Sequence, residues 1–199
     1  SDIEIKEINN LNSYSLFNID YEGDYNVYLN DPRNINLGKK LITNKKILIE
    51  KERLKEINET EYHEILINHT TPYSPFDILE NKSLLLENNF DNLNAIDWDK
   101  GCYVGQEITA RMKYRGLLKK KLYALKIKSG DVLEGDELIV DNKKIGTIVS
   151  KANSNIFAAL NINFVNEIKN KDQNLVINDS LSFDFLNWKF FSIKTYWNN

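Results

Sequence analysis

A chain of 199 residues, 42% hydrophobic and 11% aromatic, can bury a real core in one or two domains and has the composition of an ordinary globular protein. Its formal net charge of −3 excludes a surface that attracts nucleic acid as a whole. The single cysteine excludes an intramolecular disulfide framework and fits a reducing compartment, the cytoplasm or, in a eukaryote, the mitochondrial matrix; no apolar run is long enough to cross a bilayer, and no membrane partner is expected.

Residues Ile3 to Ile8 alternate apolar and polar, as a half-buried strand does. Asn9 to Ser13 reads as a polar turn, Ser15 to Ile19 as a short strand, and Tyr21-Glu22-Gly23-Asp24 as another turn. Tyr25 to Leu29 alternates again, with Tyr25, Val27 and Leu29 on one face. Asn30-Asp31-Pro32-Arg33 ends that strand, because proline cannot donate to a ladder, and Asp31 and Arg33 read from their types as a local turn pair. Leu37 to Thr43 predicts the next strand. Lys51 to Asn68 is charged, with spaced apolar positions at Leu54, Ile57, Tyr62, Ile65 and Leu66, and predicts a helix interrupted at Asn58 to Thr60. His63 and His69 point to different faces of that helix. With one distant cysteine they make no zinc set, and both are expected at the surface. Thr71 to Ser83 is a loop with two prolines, and Leu84 to Leu93 a short helical segment leading to Ile96 and Trp98.

The next run, Lys100-Gly101-Cys102-Tyr103-Val104-Gly105-Gln106-Glu107, concentrates the chemistry. Gly101 and Gly105 bracket the cysteine, and glycines so placed serve a tight turn or the close approach of a ligand. Gln106 to Lys113 predicts a short helix with Glu107 in its first turn and Arg111 as the i+4 partner of Glu107. Cys102 then lies just before a helix N-terminus, beside Lys100 and the basic segment Arg111, Lys113, Arg115 and Lys119-Lys120-Lys121, where positive charge favours the thiolate. The plainer alternatives are a small buried residue in an ordinary turn and a solvated strand edge.

From Leu118 the texture changes to closely spaced strands: Lys121 to Ile127, Glu137 to Val140, Lys144 to Ser150, Ile156 to Ile162, Asn174 to Ile177, Leu181 to Leu186 and Phe190 to Thr195. Turns such as Glu134-Gly135-Asp136, Asp141-Asn142 and Asn178-Asp179-Ser180 separate them, which predicts a small antiparallel barrel or sandwich. The fold class is therefore α+β, with a mixed sheet and helix portion over 1–116 and a C-terminal antiparallel β-barrel or sandwich over 117–199.

The octapeptide at 100–107, with Ile108-Thr109-Ala110-Arg111 and Tyr114-Arg115-Gly116 after it and Asp31-Pro32-Arg33…Leu37-Gly38 before it, resembles the signature of the YgfZ-type folate-binding proteins. These are relatives of the aminomethyltransferase of glycine cleavage, the T-protein, and include factors of iron–sulfur assembly and tRNA modification. The resemblance, which runs from about Tyr28 to the C-terminus, implies a GcvT-like barrel after Gly116. It also implies a tetrahydrofolate ligand contacted by Lys100, Gly101, Tyr103, Gly105, Gln106, Glu107, Arg111 and Arg115, with Cys102 as the reactive residue and no metal site. It implies a large N-terminal portion ahead of Asp31, so the chain is expected to be an N-terminally truncated form, with an open apolar face or edge that dimerisation would cover. Where the family carries an arginine, a glycine and a Pro-Glu pair, this chain has Leu66, Thr70 and Pro72-Tyr73, which leaves those ligand contacts without a counterpart.

Four functions stay open at this point. The first is a folate-using accessory factor for iron–sulfur proteins, partnered by client or assembly proteins, in which Cys102 is a nucleophile, redox thiol or transient ligand. There Lys100 and Arg111 would hold the thiolate or an anion, and Gln106 and Glu107 would meet a pterin edge. The others are a folate-dependent aminomethyltransferase, a tRNA-modification accessory protein that meets tRNA at most indirectly, and an interaction module without chemistry.

Overall fold

The computed structural model describes residues 7, 9–47, 54–169 and 174–186. Apart from Glu7, the strand expected at Ile3 to Ile8 lies outside the described residues, as does the one at Phe190 to Thr195. The chain forms two compact units, 1–57 and 58–199. Together they are of the α+β class, with antiparallel sheets throughout.

In the first unit β1 (Asn12–Leu16), β2 (Val27–Asn30) and β3 (Lys39–Thr43) form an antiparallel sheet in the order β1-β3-β2. The register sets Tyr14 and Tyr28 on either side of Leu41, so all three share a face. Leu16, Leu41 and Ile47 are the buried centre of that face. The first strand starts at Asn12 and stops at Leu16, because Asn10 and Asn18 at φ 78° and 55° bend the chain on either side. The second starts at Val27. Before it, the carbonyl of Asp24 is taken by the Thr43 hydroxyl at 2.8 Å.

The β2–β3 connection is a built joint. Asp31, 3% exposed, accepts two bonds from the Arg33 guanidinium at 2.8 and 3.0 Å, with Lys40 Nζ 3.5 Å away. Burial acts to raise the Asp31 carboxyl, but the hydrogen bonds and charge of Arg33, helped by Lys40, outweigh it and hold it below the usual carboxylate range. Of the strand expected at Leu37 to Thr43, Leu37 instead closes a single 3-10 turn, Ile35–Leu37, capped by Asn34. Gly38 follows at φ 71°, and a Cβ there would lie 2.0 Å from the Leu16 carbonyl oxygen. Only glycine fits such an approach.

In the second unit the first helix, α1 (Glu59–Asn68), starts where an interruption was expected. Asn58 accepts from the Glu61 N–H and Glu61 accepts from the Asn58 N–H, both at 2.9 Å, which is a capping box rather than a break. The helix ends in a Schellman turn: the Thr71 N–H donates to Leu66 O and the Thr70 N–H to Ile67 O, each at 2.9 Å. Thr70 sits at the left-handed position, φ 52°, where glycine is the usual occupant, and its buried hydroxyl has no partner among the described residues.

Leu84 to Leu93, expected to be helical, is a series of hydrogen-bonded turns. Asn89 at φ 63° breaks the helical path. Its amide donates to Leu122 O at 2.7 Å while the Leu122 N–H donates to Glu87 O at 2.8 Å, so the segment pairs with the barrel instead of with itself.

After α2 (Gln106–Tyr114) come β4 (Lys120–Ser129), β5 (Glu137–Val140), β6 (Lys143–Ala152), β7 (Asn155–Asn161), α3 (Ile162–Lys169), β8 (Asn174–Asn178) and β9 (Leu181–Phe185). The strands form one antiparallel sheet in the order β5-β6-β7-β4-β9-β8. Its two ends, β5 and β8, approach one another, so the sheet nearly closes as a barrel. Tyr123, Leu125, Ile156, Ala158 and Leu160 belong to the interior. The alternate residues Leu122, Ala124 and Phe157 pack with Ile67 of α1 in a second cluster. Both faces of these strands are covered, which is why they read as continuous apolar runs. The helix α3 was not foreseen. Asn161 Oδ1 caps it by accepting the Asn163 and Phe164 N–H groups, and Val165 adds to the barrel core.

Candidate functional site

The signature run forms a loop that leaves the barrel unit's turns at Trp98 and returns through α2. Asp97 Oδ1 accepts the Asp99 N–H at 3.0 Å, which turns the chain outward. Gly105, at φ 92° and ψ −5°, is the residue before α2; it carries no side chain to cap the helix, so the N–H groups of the first turn face outward without a side-chain partner. Cys102 lies three positions ahead of this turn and is exposed, as are Gly101, Tyr103, Val104 and Glu107. The buried-turn alternative for the cysteine is thereby removed. A Cβ at Gly101 or Gly105 would meet nothing within 4 Å, so the backbone is approachable at both.

Several of the charged groups are already engaged. Arg111 meets Glu107 at 2.5 Å, the expected i+4 pair. Lys100 Nζ lies 4.6 Å above the ring of Tyr103. Lys120 and Lys121 pair with Glu87 and Asp91 at 3.4 and 3.2 Å. No ion pair or hydrogen bond joins a cation to Cys102 among the described residues. Arg115 is exposed at the end of α2, where its N–H donates to Arg111 O at 3.0 Å, and Gln106 is half-buried. Within the expected basic segment, Arg111, Lys120 and Lys121 are thus engaged by carboxylates, while Arg115 and Lys119 are exposed.

The base of the loop is closed by an aromatic and a cation. Lys113 Nζ lies 3.5 Å from the centre of the Trp98 ring and 5.5 Å from that of Tyr114, and the two rings meet edge to face at 6.3 Å. Burial pulls the Lys113 ammonium below the usual lysine range, with Asp91 and Asp99 opposing. Met112, one residue earlier, is 8% exposed and anchors the helix.

As a folate site the loop offers matching donors and acceptors: the Gln106 amide, the Glu107 carboxylate and the exposed Lys100 and Arg115. It offers them on an open surface. Two clefts of the described residues, about 310 Å³ beside Asp20 and Lys39 and about 570 Å³ beside Leu133 and Lys151, are lined by other residues. The described residues would therefore meet such a ligand on one side and do not enclose it.

One buried polar group escaped the sequence reading. His63 is 5% exposed, not a surface residue. Its Nε2 lies 2.9 and 3.2 Å from the two oxygens of buried Asp77, which also accepts the Ser150 hydroxyl and, at 2.7 Å, the Tyr73 N–H. The signal was its spacing: His63 stands three and four positions before Leu66 and Ile67, on the helix stripe that faces the barrel. Ser150 and His63 both meet the carboxylate rather than each other, so the group pins α1 and its loop to β6 and is not a nucleophile relay.

No family model matches the chain. Among curated proteins, it is 35% identical over 121 residues to the mitochondrial iron–sulfur cluster assembly factor IBA57 homolog of Dictyostelium discoideum, covering 57% of this chain and 30% of that protein. It is 31% identical over 101 residues to mitochondrial iron–sulfur cluster assembly factor IBA57 of Mus musculus and 30% identical over 102 residues to that of Homo sapiens, in each case 50% of this chain and 28% of the relative. The matched part thus spans less than a third of the length of each of these relatives, all of which are by name iron–sulfur cluster assembly factors.

Proposed function

We propose that this chain serves iron–sulfur cluster assembly and that Cys102 is the group through which it acts. The observation that carries the reading is the exposed thiol on a glycine-bracketed loop directly ahead of a helix, in a chain whose relatives bear that function in their names. One cysteine per chain supplies one thiolate, and a cluster takes four ligands. Cys102 would bond one iron, losing its proton to solvent and displacing a ligand already there. The remaining ligands would come from glutathione, a second copy or a client protein. The names of the relatives favour the mitochondrial matrix as the place of action.

The test is replacement of the chain in cells by its Cys102→Ser form. Activities of iron–sulfur enzymes should fall while the purified variant melts with the wild type, because an exposed Cys-to-Ser change touches no core. Full enzyme activity with the variant would overturn the reading.

Tetrahydrofolate is the second part of the proposal. Gln106 and Glu107 would meet its polar ring edge, and Lys100 and Arg115 its glutamyl carboxylates, with no step assigned to it. Held on one side only, it should bind weakly. Saturating tetrahydrofolate at about a hundred times its Kd would stabilise the chain by about 2.7 kcal/mol. An unmoved melting temperature removes folate and leaves the thiol reading standing. No specific observation favours the aminomethyltransferase or the tRNA reading.

A further inference from the structure

The chain enters the Cys102 loop at Trp98 and leaves it along α2. The two limbs are joined at their base by a contact across the loop: Lys113 Nζ on the Trp98 ring at 3.5 Å, with Tyr114 edge-on to the indole at 6.3 Å. Between these points the chain has little to hold it. Gly101 and Gly105 place no side chain, and residues 101–105 are all exposed. An exposed loop with two glycines, held within itself by the Lys100–Tyr103 contact, takes much of its shape from its ends. One end is fixed by buried Met112 on α2; the other is tied to that helix by Trp98, with the Asp99 carboxylate acting on Lys113 beside it.

We propose that Trp98 and Lys113 form a staple that sets how Cys102 is presented, so that Lys113 is a positioning residue for the thiol and not one more member of a basic surface. Lys113 is half-buried, with its ammonium over the Trp98 ring and the acidic Asp91 and Asp99 nearby. Arg111, by contrast, reaches outward to Glu107, and Arg115 is exposed. A cation over indole is the strongest pairing of this kind, and guanidinium makes it as well as ammonium. The staple therefore tolerates Lys113→Arg and not Lys113→Gln. The importance of the thiol rests on the function proposed above; the staple itself does not, and its test reads the thiol's chemistry rather than cluster assembly.

The experiment measures the alkylation rate of Cys102 by iodoacetamide at neutral pH in the whole chain. The forms compared are wild type, Lys113→Arg, Lys113→Gln and Trp98→Leu, with a free peptide of residues 97–108 as reference. Wild type and Lys113→Arg should share one rate. Lys113→Gln and Trp98→Leu should move toward the peptide's rate, by about fivefold for a contact of this strength. A second readout does not depend on the thiol: the side-chain protons next to Lys113 Nζ should be shifted upfield in the NMR spectrum by the indole ring, and should lose that shift in Trp98→Leu. Lys113→Gln alkylating at the wild-type rate, or unshifted Lys113 resonances in the wild type, overturns the proposal. Should Trp98→Leu fail to fold, the Lys113 pair and the wild-type spectrum decide it. Whichever way they fall, the Cys102→Ser replacement in cells still tests the function independently.

Discussion

Thr70 offers the sharpest test of the energetics. A β-branched residue held at φ 52° carries a steric cost of about 1–2 kcal/mol, and a buried hydroxyl without a partner costs about 1–3 kcal/mol more. Thr70→Gly removes both. Against this stand the greater freedom of glycine in the unfolded chain, about 0.5–1 kcal/mol, and the buried methyl, about 0.8 kcal/mol. The balance favours the variant by about 2 kcal/mol, which for a chain of this size raises the melting temperature by about 4–8 °C. Urea unfolding gives the measurement, with the slope m unchanged so that the midpoint reports stability alone. Thr70→Ala separates the two costs. It loses the hydroxyl but keeps a Cβ in the left-handed region, so it should fall between wild type and Thr70→Gly. A glycine variant no more stable than the alanine variant would refute the reasoning, because the backbone strain would then be absent.

Three further outcomes are expected. Gly38→Ala forces a Cβ against the Leu16 carbonyl and should cost about 3 kcal/mol or unfold the first unit, seen as loss of its urea transition; a neutral result would mean the β2–β3 joint is looser than described. The Asp31 carboxyl is held below its unfolded value, so its stabilisation is complete above about pH 4 and is lost as pH falls through the folded value. The acid limb of stability against pH should therefore flatten in Asp31→Asn, whose own cost of about 2 kcal/mol reflects the lost ion pair with Arg33; equal slopes for the two proteins would rule this out. Asp77→Ala strands His63, the Ser150 hydroxyl and the Tyr73 N–H together and should cost about 3–4 kcal/mol, against about 1 kcal/mol for Ser150→Ala, by chemical denaturation; equal costs would mean the three bonds are not one network.

Elements whose signal is local were legible in the sequence. The turn at Asp141-Asn142 was read from its residue types, and both sit at positive φ as a two-residue hairpin requires. Gln106 to Lys113 was read as a helix from its charge pattern and stands with the Glu107–Arg111 pair in place. Failures came where a distant partner decides. Leu84 to Leu93 has apolar spacing that suits a helix, yet Asn89 gives its amide to Leu122 across 33 positions and the helix does not form. His63 looked like a surface residue because its partner Asp77 lies beyond the helix and Ser150 lies far along the chain. At the site, the glycines pointed to a turn at Cys102 but left open whether the thiol was buried, which the structure decides by its exposure. The engagement of Lys100 by Tyr103 and of Lys113 by Trp98 was not legible, since basic residues in a row say nothing of which ones meet a ring.

The attachment of α1 to the barrel has a consequence for where this protein can be cut. Ile67 covers Leu122, Ala124, Ala152 and Phe157, while Glu64 and Asn68 accept bonds from Asn153 and Asn155 at the β6–β7 hairpin. A fragment beginning after Gly116 keeps every described barrel strand and loses this cover. Its outer wall would then show water an apolar strip next to a hairpin stripped of its acceptors, and such a strip on a strand surface invites the next copy to take the helix's place. The helix thus acts as an outer stave: cooperative unfolding, hydrogen exchange and solubility should all treat the stretch from Asn58 onward as a single piece.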